Sequence, residues 1–97
     1  MDTLAMNIKR EFFAKIAAKT KRIEYREIKT YWTRRLANFE APFLLRLSNG
    51  MTHPIPELTI VVTKVKVNKS TGQYELHLGR VRSVKRWDPR TQSPRRR

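Results

Sequence analysis

The stretch ELTIVVTKVKVNKSTGQYELHLG, residues 57–79, decides the fold. Its first half is rich in β-branched residues and its second half alternates apolar with polar residues, which is typical of strands. A turn sequence, KSTG at 69–72, separates the halves, so the stretch predicts a β-hairpin. The apolar alternation changes phase between Val62 and Val65. This change predicts a β-bulge, or a strand that bends around a barrel corner.

The N-terminal third of the chain predicts two strands with a helix between them. Apolar and polar residues alternate over 4–8, which indicates a short first strand. Apolar residues at spacings of one, three and four over 9–20 indicate an amphipathic helix of about three turns. Alternation returns over 21–28 and predicts a second strand, on which Glu24 and Arg26 share one face.

The next segments complete the predicted architecture. Thr30 is a candidate cap for a second short helix that ends near Asn38. The apolar segment 42–48 predicts a largely buried strand, and Asn49-Gly50 predicts a tight turn after it. With no long parallel crossover expected, this order predicts an α+β fold: a small β-barrel with two short helices.

We expect the barrel domain to span residues 1–87 and to end on a last strand or bend at Trp87. After Asp88-Pro89 the chain has no apolar residue, so we expect residues 88–97 to form a disordered, Arg-rich tail.

Charge is the strongest bulk signal. The 97 residues include 22 Lys and Arg but only 8 Asp and Glu, which gives a net charge of +14. Such a field attracts polyanions, such as RNA or DNA. Cysteine is absent, which is typical of a reducing cytoplasm. No apolar run approaches the roughly 18 residues of a membrane span, so we expect no membrane partner.

Lys21, Glu24 and Arg26 stand close together in KTKRIEYREIKTYW, residues 19–32. They form either a solvated face or a small polar site. In a polar site, a charged Lys21 beside Arg26 binds a phosphate, whereas a neutral Lys21 acts as a base or nucleophile. Glu24 then accepts a hydrogen bond from a base edge or a ribose hydroxyl. The residues alone leave both interpretations open.

These residues resemble the ASCH domain family, whose small β-barrel is related to the PUA fold. The family pattern is roughly Gly-x-Lys-x-x-Glu-x-Arg after a first helix. Lys21, Glu24 and Arg26 match it, and Lys19 stands in place of the Gly. The flanks EFFAKI, YW and YELHLG are similar too, so the resemblance covers about 6–87. It implies a cleft beside the barrel, lined by the three residues, with RNA or a nucleotide as the ligand.

The resemblance also leaves an enzymatic alternative. Some members of the family resemble amidohydrolases that act on acylated cytidine through a Lys, a Thr three residues later and a distant Glu. Here Glu24 stands at the Thr position. Other members have been associated with cleavage of single-stranded RNA. If this protein is a ribonuclease or a hydrolase of modified nucleosides, Lys21 and Glu24 are the candidate catalytic residues.

A third interpretation is a DNA-binding or protein-adaptor module that uses only its charge. We expect no cofactor, and no metal site, because His53 and His77 are the only histidines and no cysteine joins them. Tyr25 and Trp32 are candidates for stacking on bases. For Trp87, stacking on a base and packing in the core are equally compatible with the sequence. The expected contacts to a nucleic-acid backbone are Lys19, Arg22, Arg34, Arg35, Arg95, Arg96 and Arg97.

Overall fold

A curled five-stranded sheet, which closes half of a barrel, carries two helices in this α+β fold. The computed structural model describes residues 1–95, so the predicted backbone contacts Arg96 and Arg97 lie outside the described residues. In chain order the elements are β1 (Thr3–Asn7), α1 (Arg10–Ala17), β2 (Ile23–Glu27), α2 (Thr30–Leu36), β3 (Phe43–Ser48), β4 (Glu57–Asn68), β5 (Gln73–Lys85), β6 (Trp87–Asp88) and β7 (Ser93–Pro94). The sheet order is β1-β3-β4-β5-β2, and β6 pairs with β7 separately.

The predicted hairpin is confirmed as the pair β4 and β5. The two strands run antiparallel, and their register shifts three times between Thr59 and Lys64. The expected bulge is therefore real, and it bends the sheet. The phase that contains Leu58 and Val62 is buried, since neither residue has exposed surface. Val67, near the hairpin tip, is 56% exposed.

The expectation that the fold lacks a long parallel crossover is wrong. Strand β1 pairs in parallel with β3, and α1, β2 and α2 lie between them in the chain. Strand β2 pairs instead with β5, at the opposite edge of the sheet. Local alternation identifies a strand but not its neighbour, because pairing depends on contacts between residues far apart in the chain. As a result, β1 and β2 are the two edge strands of the curled sheet.

The core fills the concave side of the sheet. Phe13 and Ile16 of α1 are buried in the same apolar cluster as Leu45 and Leu47 of β3. Trp87 is also buried, and its ring centroid lies 4.8 Å from that of Phe13. Core packing, not base stacking, therefore explains Trp87. Neither of the helices within residues 1–95 is long and apolar enough to cross a membrane.

Helix α2 begins differently from the prediction. Lys29, not Thr30, occupies the N-cap position, and its side chain makes no capping hydrogen bond. The backbone explains the difference, because the Thr33 N–H donates to the Lys29 carbonyl at 2.9 Å, which sets the first turn one residue earlier.

The start of the C-terminal tail is ordered, contrary to the expectation of disorder from residue 88. Trp87–Asp88 pairs antiparallel with Ser93–Pro94. Within the turn, the Arg90 N–H donates to Asp88 Oδ1 at 2.9 Å, which is a typical Asx arrangement. The buried ring of Trp87 anchors this small ladder to the core.

Candidate functional site

The end of helix α1 determines where Lys21 lies. Lys19 adopts a left-handed conformation with φ of 65°. The Lys19 N–H donates to the Ile16 carbonyl at 3.0 Å, and the Thr20 N–H donates to the Lys15 carbonyl at 2.9 Å. These two bonds form a Schellman motif, in which glycine is the usual left-handed residue. The motif reverses the chain, so that Lys21 enters the sheet beside the start of β2.

Glu24 is the centre of the site. Its carboxylate is 3% exposed, and no other charged residue among residues 1–95 is buried. Lys21 Nζ lies 3.5 Å from Glu24 Oε1, and Arg26 Nη1 donates to Glu24 Oε2 at 2.6 Å. A buried carboxylate is costly unless cations and hydrogen bonds compensate it. The structure thus brings the three predicted residues together, and they are not a solvated face: Lys21 is 16% and Arg26 19% exposed.

Arg26 also joins the two edges of the curled sheet. Its Nη1 donates to the Tyr25 carbonyl at 3.0 Å and its Nη2 donates to the Asn7 carbonyl at 2.9 Å. Asn7 ends β1 and Tyr25 lies on β2, and these are the two edge strands. In a closed barrel, strand pairing satisfies such edge groups. Here one guanidinium bridges the gap, so both of its terminal nitrogens have partners within the protein.

Trp32 lies between two guanidinium groups. The Arg26 and Arg35 Cζ atoms are 5.2 and 5.4 Å from the centroid of its ring, within the range of a cation–π interaction. Arg35 Nη2 donates to the Ala5 carbonyl of β1 at 2.9 Å, and Nη1 donates to the Tyr31 hydroxyl at 3.2 Å. Arg35 was expected on a nucleic-acid backbone, but in this structure its donors support the β1 edge.

A cleft of about 650 Å³ opens at these edges. All five residues predicted to bind a ligand line it: Lys21, Glu24, Tyr25, Arg26 and Trp32. Five further residues, which the sequence did not indicate, complete the lining: Lys9, Phe12, Glu27, Lys29 and Gln73. No local pattern marks this second group, because its members meet only when α1, the start of α2 and β5 assemble around β2.

Lys21 is held over aromatic rings within the cleft. Its Nζ lies 5.1 Å from the ring centroid of Phe12 and 5.0 Å from that of Tyr25. The Tyr25 side chain is 40% exposed, so part of its ring surface is open to a ligand. The cleft therefore combines an ammonium group, a buried carboxylate and an accessible aromatic ring.

The remaining predicted backbone contacts are spread over the surface. Lys19 and Arg22 are exposed at the junction of α1 and β2, Arg34 is exposed on α2, and Arg95 is exposed after β7. Within residues 1–95, no group of three or more His, Cys, Asp or Glu side chains is arranged to hold a metal ion. The cleft offers groups for hydrogen bonding, charge interactions and stacking.

The chain matches no protein-family model and no curated protein.

Proposed function

We propose that the protein is an ASCH-like domain of the PUA type that binds single-stranded RNA or a nucleotide in the cleft between its sheet edges. One observation carries the proposal: a buried glutamate, held by a lysine and an arginine, lines a cleft with an accessible aromatic ring. Glu24 supplies the acceptor, Lys21 the donors and Tyr25 the ring. The net charge of +14 supplies long-range attraction to a polyanion.

The size and lining of the cleft suit one nucleotide. Its volume of about 650 Å³ lies within the range of small-molecule sites. Tyr25 offers a face on which a base stacks irrespective of its identity. The Lys21 ammonium has three donors, of which one points to Glu24, so the others are free to contact a phosphate or a carbonyl oxygen. A carboxylate has about four acceptor positions, which leaves Glu24 able to accept from a base amino group or a ribose hydroxyl.

Arg26 has a positioning role in this proposal. Its terminal nitrogens are bonded to Glu24 and to two backbone carbonyls, so it is not a free fork for a phosphate. It fixes the orientation of the Glu24 carboxylate, and it also orders Trp32 at the wall of the cleft.

The test separates stacking from charge. We expect Tyr25→Leu to weaken binding of a short single-stranded RNA by about 1–3 kcal/mol, the usual worth of one stacked base. Tyr25→Phe keeps the ring and is the matched control, so it should bind nearly as well as the wild type. Affinities are measured by fluorescence anisotropy for RNA, for DNA of the same sequence and for heparin. Equal affinities of Leu and Phe variants for RNA would contradict a stacking site at Tyr25.

The comparison of ligands and an assay for turnover address the two alternatives, which are binding by charge alone and catalysis. If RNA, DNA and heparin bind equally at every salt concentration, the protein uses only its charge. If incubation with RNA or an acylated nucleoside yields product that Lys21→Arg no longer forms at unchanged affinity, the cleft is catalytic. Binding without turnover, with a preference for RNA, is the result that the proposed function predicts.

A further inference from the structure

A second cavity lies next to the cleft, on the far side of Lys21. Its volume is about 340 Å³. Its floor is apolar, formed by Ile16, Ile60, Leu78 and Val81. Its rim is basic, formed by Lys19, Lys21, Arg22 and Arg80. None of the eight acidic residues of the chain lines it.

The irregular part of the hairpin lies beside this cavity, since Ile60 and Gly79 both line it. Gly79 lines it, opposite the irregular part of β4. A β-carbon added at Gly79 would lie 2.8 Å from Thr63 Cγ2, so a larger residue does not fit there without a shift. Bulges often redirect side chains. Across Gly79, the strand here changes from the buried Leu78 to the exposed Arg80. Residues of β4, β5 and α1 thus form most of the cavity wall.

Three of the four basic side chains have no partner among residues 1–95. Among residues 1–95, the side chains of Lys19, Arg22 and Arg80 make no ion pair and no hydrogen bond, whereas Lys21 contacts Glu24. Like charges that converge without an acidic partner repel one another, and an anion relieves the repulsion. The carbonyl end of α1 opposes an anion, but its partial charge of about −0.5 is small beside four cations.

Lys21 connects the two cavities, because it lines both. A third, shallower depression, lined by Lys15, Thr20, Arg22 and Tyr25 among others, lies along the same junction of α1 and β2. Basic and aromatic groups thus follow one another from the cleft to the second cavity. No acidic residue lines the second or the third of these depressions.

We infer that the second cavity holds the phosphate of the nucleotide adjacent to the one in the cleft, so that a single strand crosses Lys21 along the junction of α1 and β2. This inference rests on the proposed function. It adds to it a second subsite and the course of the RNA strand over the protein surface. The expected ligand is a phosphodiester of single-stranded RNA. Arg22 and Arg80 are the backbone-binding residues of that subsite, and Arg80 was not among the residues that the sequence indicated.

The test compares two doubly substituted proteins of equal net charge. Arg22→Gln/Arg80→Gln removes two basic groups from the cavity. Arg46→Gln/Lys85→Gln removes two exposed basic groups that line neither cavity. The ligands are uridine monophosphate and an oligouridylate of about six nucleotides, within the usual site size of a small RNA-binding barrel. Affinities are measured by titration at about 50 and about 200 mM salt, as for phosphate contacts in general.

We expect the cavity variant to bind the monophosphate as the wild type does, and to lose affinity for the oligonucleotide. Two lost contacts reduce the salt slope by about 1.4, so the advantage of the wild type should shrink about sevenfold between the two salt concentrations. The salt slope of the control variant should differ from that of the wild type by less than about 0.7, the value of one phosphate contact. Circular dichroism melting of both variants verifies that they are folded.

Three results would overturn the inference, and they have different meanings. If the wild type binds the oligonucleotide and both variants lose affinity equally, the second cavity is not a subsite, although the cleft remains an RNA site. If the wild type binds neither ligand, the proposed function fails, and the subsite with it. If the cavity variant loses equal affinity for the monophosphate and for the oligonucleotide, the proposed course of the strand across Lys21 is also contradicted. Such a result would mean that both ligands bind at Arg22 and Arg80.

Discussion

Removing Arg26 should destabilise the fold more than removing any fully exposed basic residue. Arg26→Gln deprives the buried Glu24 carboxylate of its closest partner, which lies at 2.6 Å and is itself only 19% exposed. It also removes donors from two edge carbonyls, those of Tyr25 and Asn7. Glu24 keeps only the longer contact of 3.5 Å with Lys21. The consequence is a buried charge with incomplete compensation.

The magnitude follows from these contacts. Breaking a buried ion pair from one side costs about 3–5 kcal/mol. Water can reach the edge carbonyls through the cleft, so we expect the lower end, about 3 kcal/mol of unfolding free energy. For a domain of this length, that corresponds to a fall in Tm of about 12–24 °C. Because buried pairs are weakly screened, the loss should persist in about 1 M salt.

A double-mutant cycle isolates the pair. Glu24→Gln removes the charge but keeps the shape, and we expect it to cost about 2 kcal/mol. Glu24→Gln/Arg26→Gln should cost less than the sum of the single changes by about 1–3 kcal/mol, because no unpaired carboxylate remains. Unfolding by urea, followed by circular dichroism, gives all four free energies.

Arg46→Gln is the matched control, since Arg46 is exposed on β3 and should change stability by less than about 0.5 kcal/mol. If Arg26→Gln is as stable as this control and the coupling energy is near zero, the contact between Arg26 and Glu24 is not structural, and the reasoning is refuted.

Three further predictions concern the backbone, packing and titration. Lys19→Gly should raise the unfolding free energy by about 0.5–1 kcal/mol in urea titrations, because glycine adopts the observed φ of 65° without strain. Gly79→Ala should lower it by about 1–3 kcal/mol, since the new β-carbon meets Thr63 Cγ2 at 2.8 Å. Thr63→Ser, which removes that methyl group, should restore part of the loss. The hydrogen bond from Asn68 is the largest single cause that lowers the pKa of Glu75, and the nearby His77 lowers it further. The stabilisation from Glu75 is therefore present above about pH 4.3 and is lost as the pH falls through its lower folded-state pKa. Asn68→Ala should raise that pKa in an NMR titration.

Each of these three predictions has a contradicting result. If the Lys19→Gly protein is less stable than the wild type, the lysine side chain adds more to the free energy of unfolding than its left-handed backbone conformation takes away. A Gly79→Ala loss that Thr63→Ser leaves unchanged would place the clash elsewhere. An unchanged Glu75 pKa in Asn68→Ala would remove the hydrogen bond as the cause.

Local patterns were sufficient for β1 to β5, the two helices and the bulge, but not for the pairing of β6 with β7. The alternation of residues 57–79 predicted β4, β5 and the irregular pairing between them, because side-chain period and turn residues are properties of short segments. They did not reveal that β1 pairs in parallel with β3. That pairing joins residues about 40 positions apart, and several sheet orders satisfy the same local patterns.

For the site, the sequence likewise predicted which residues belong to it but not how they are buried and bonded. Lys21, Glu24 and Arg26 were chosen from their spacing, and the structure gathers them at one cleft with Tyr25 and Trp32. Their burial was not predictable, since charged pairs two residues apart on a strand are usually solvated. The acceptor of Arg26 at Asn7 is a backbone carbonyl of another strand, and no side-chain pattern marks it.

The sequence by itself determined the elements up to β5, the excess of positive charge and the cluster of Lys21, Glu24 and Arg26, because these depend on residue type and spacing alone. Only the tertiary structure decided that β1 and β2 are the sheet edges, that Arg26 bridges them and that Arg80 stands beside Lys21 at a second cavity. The physical reason is that a curled sheet brings distant segments together, and burial then converts surface charges into a compensated ion cluster.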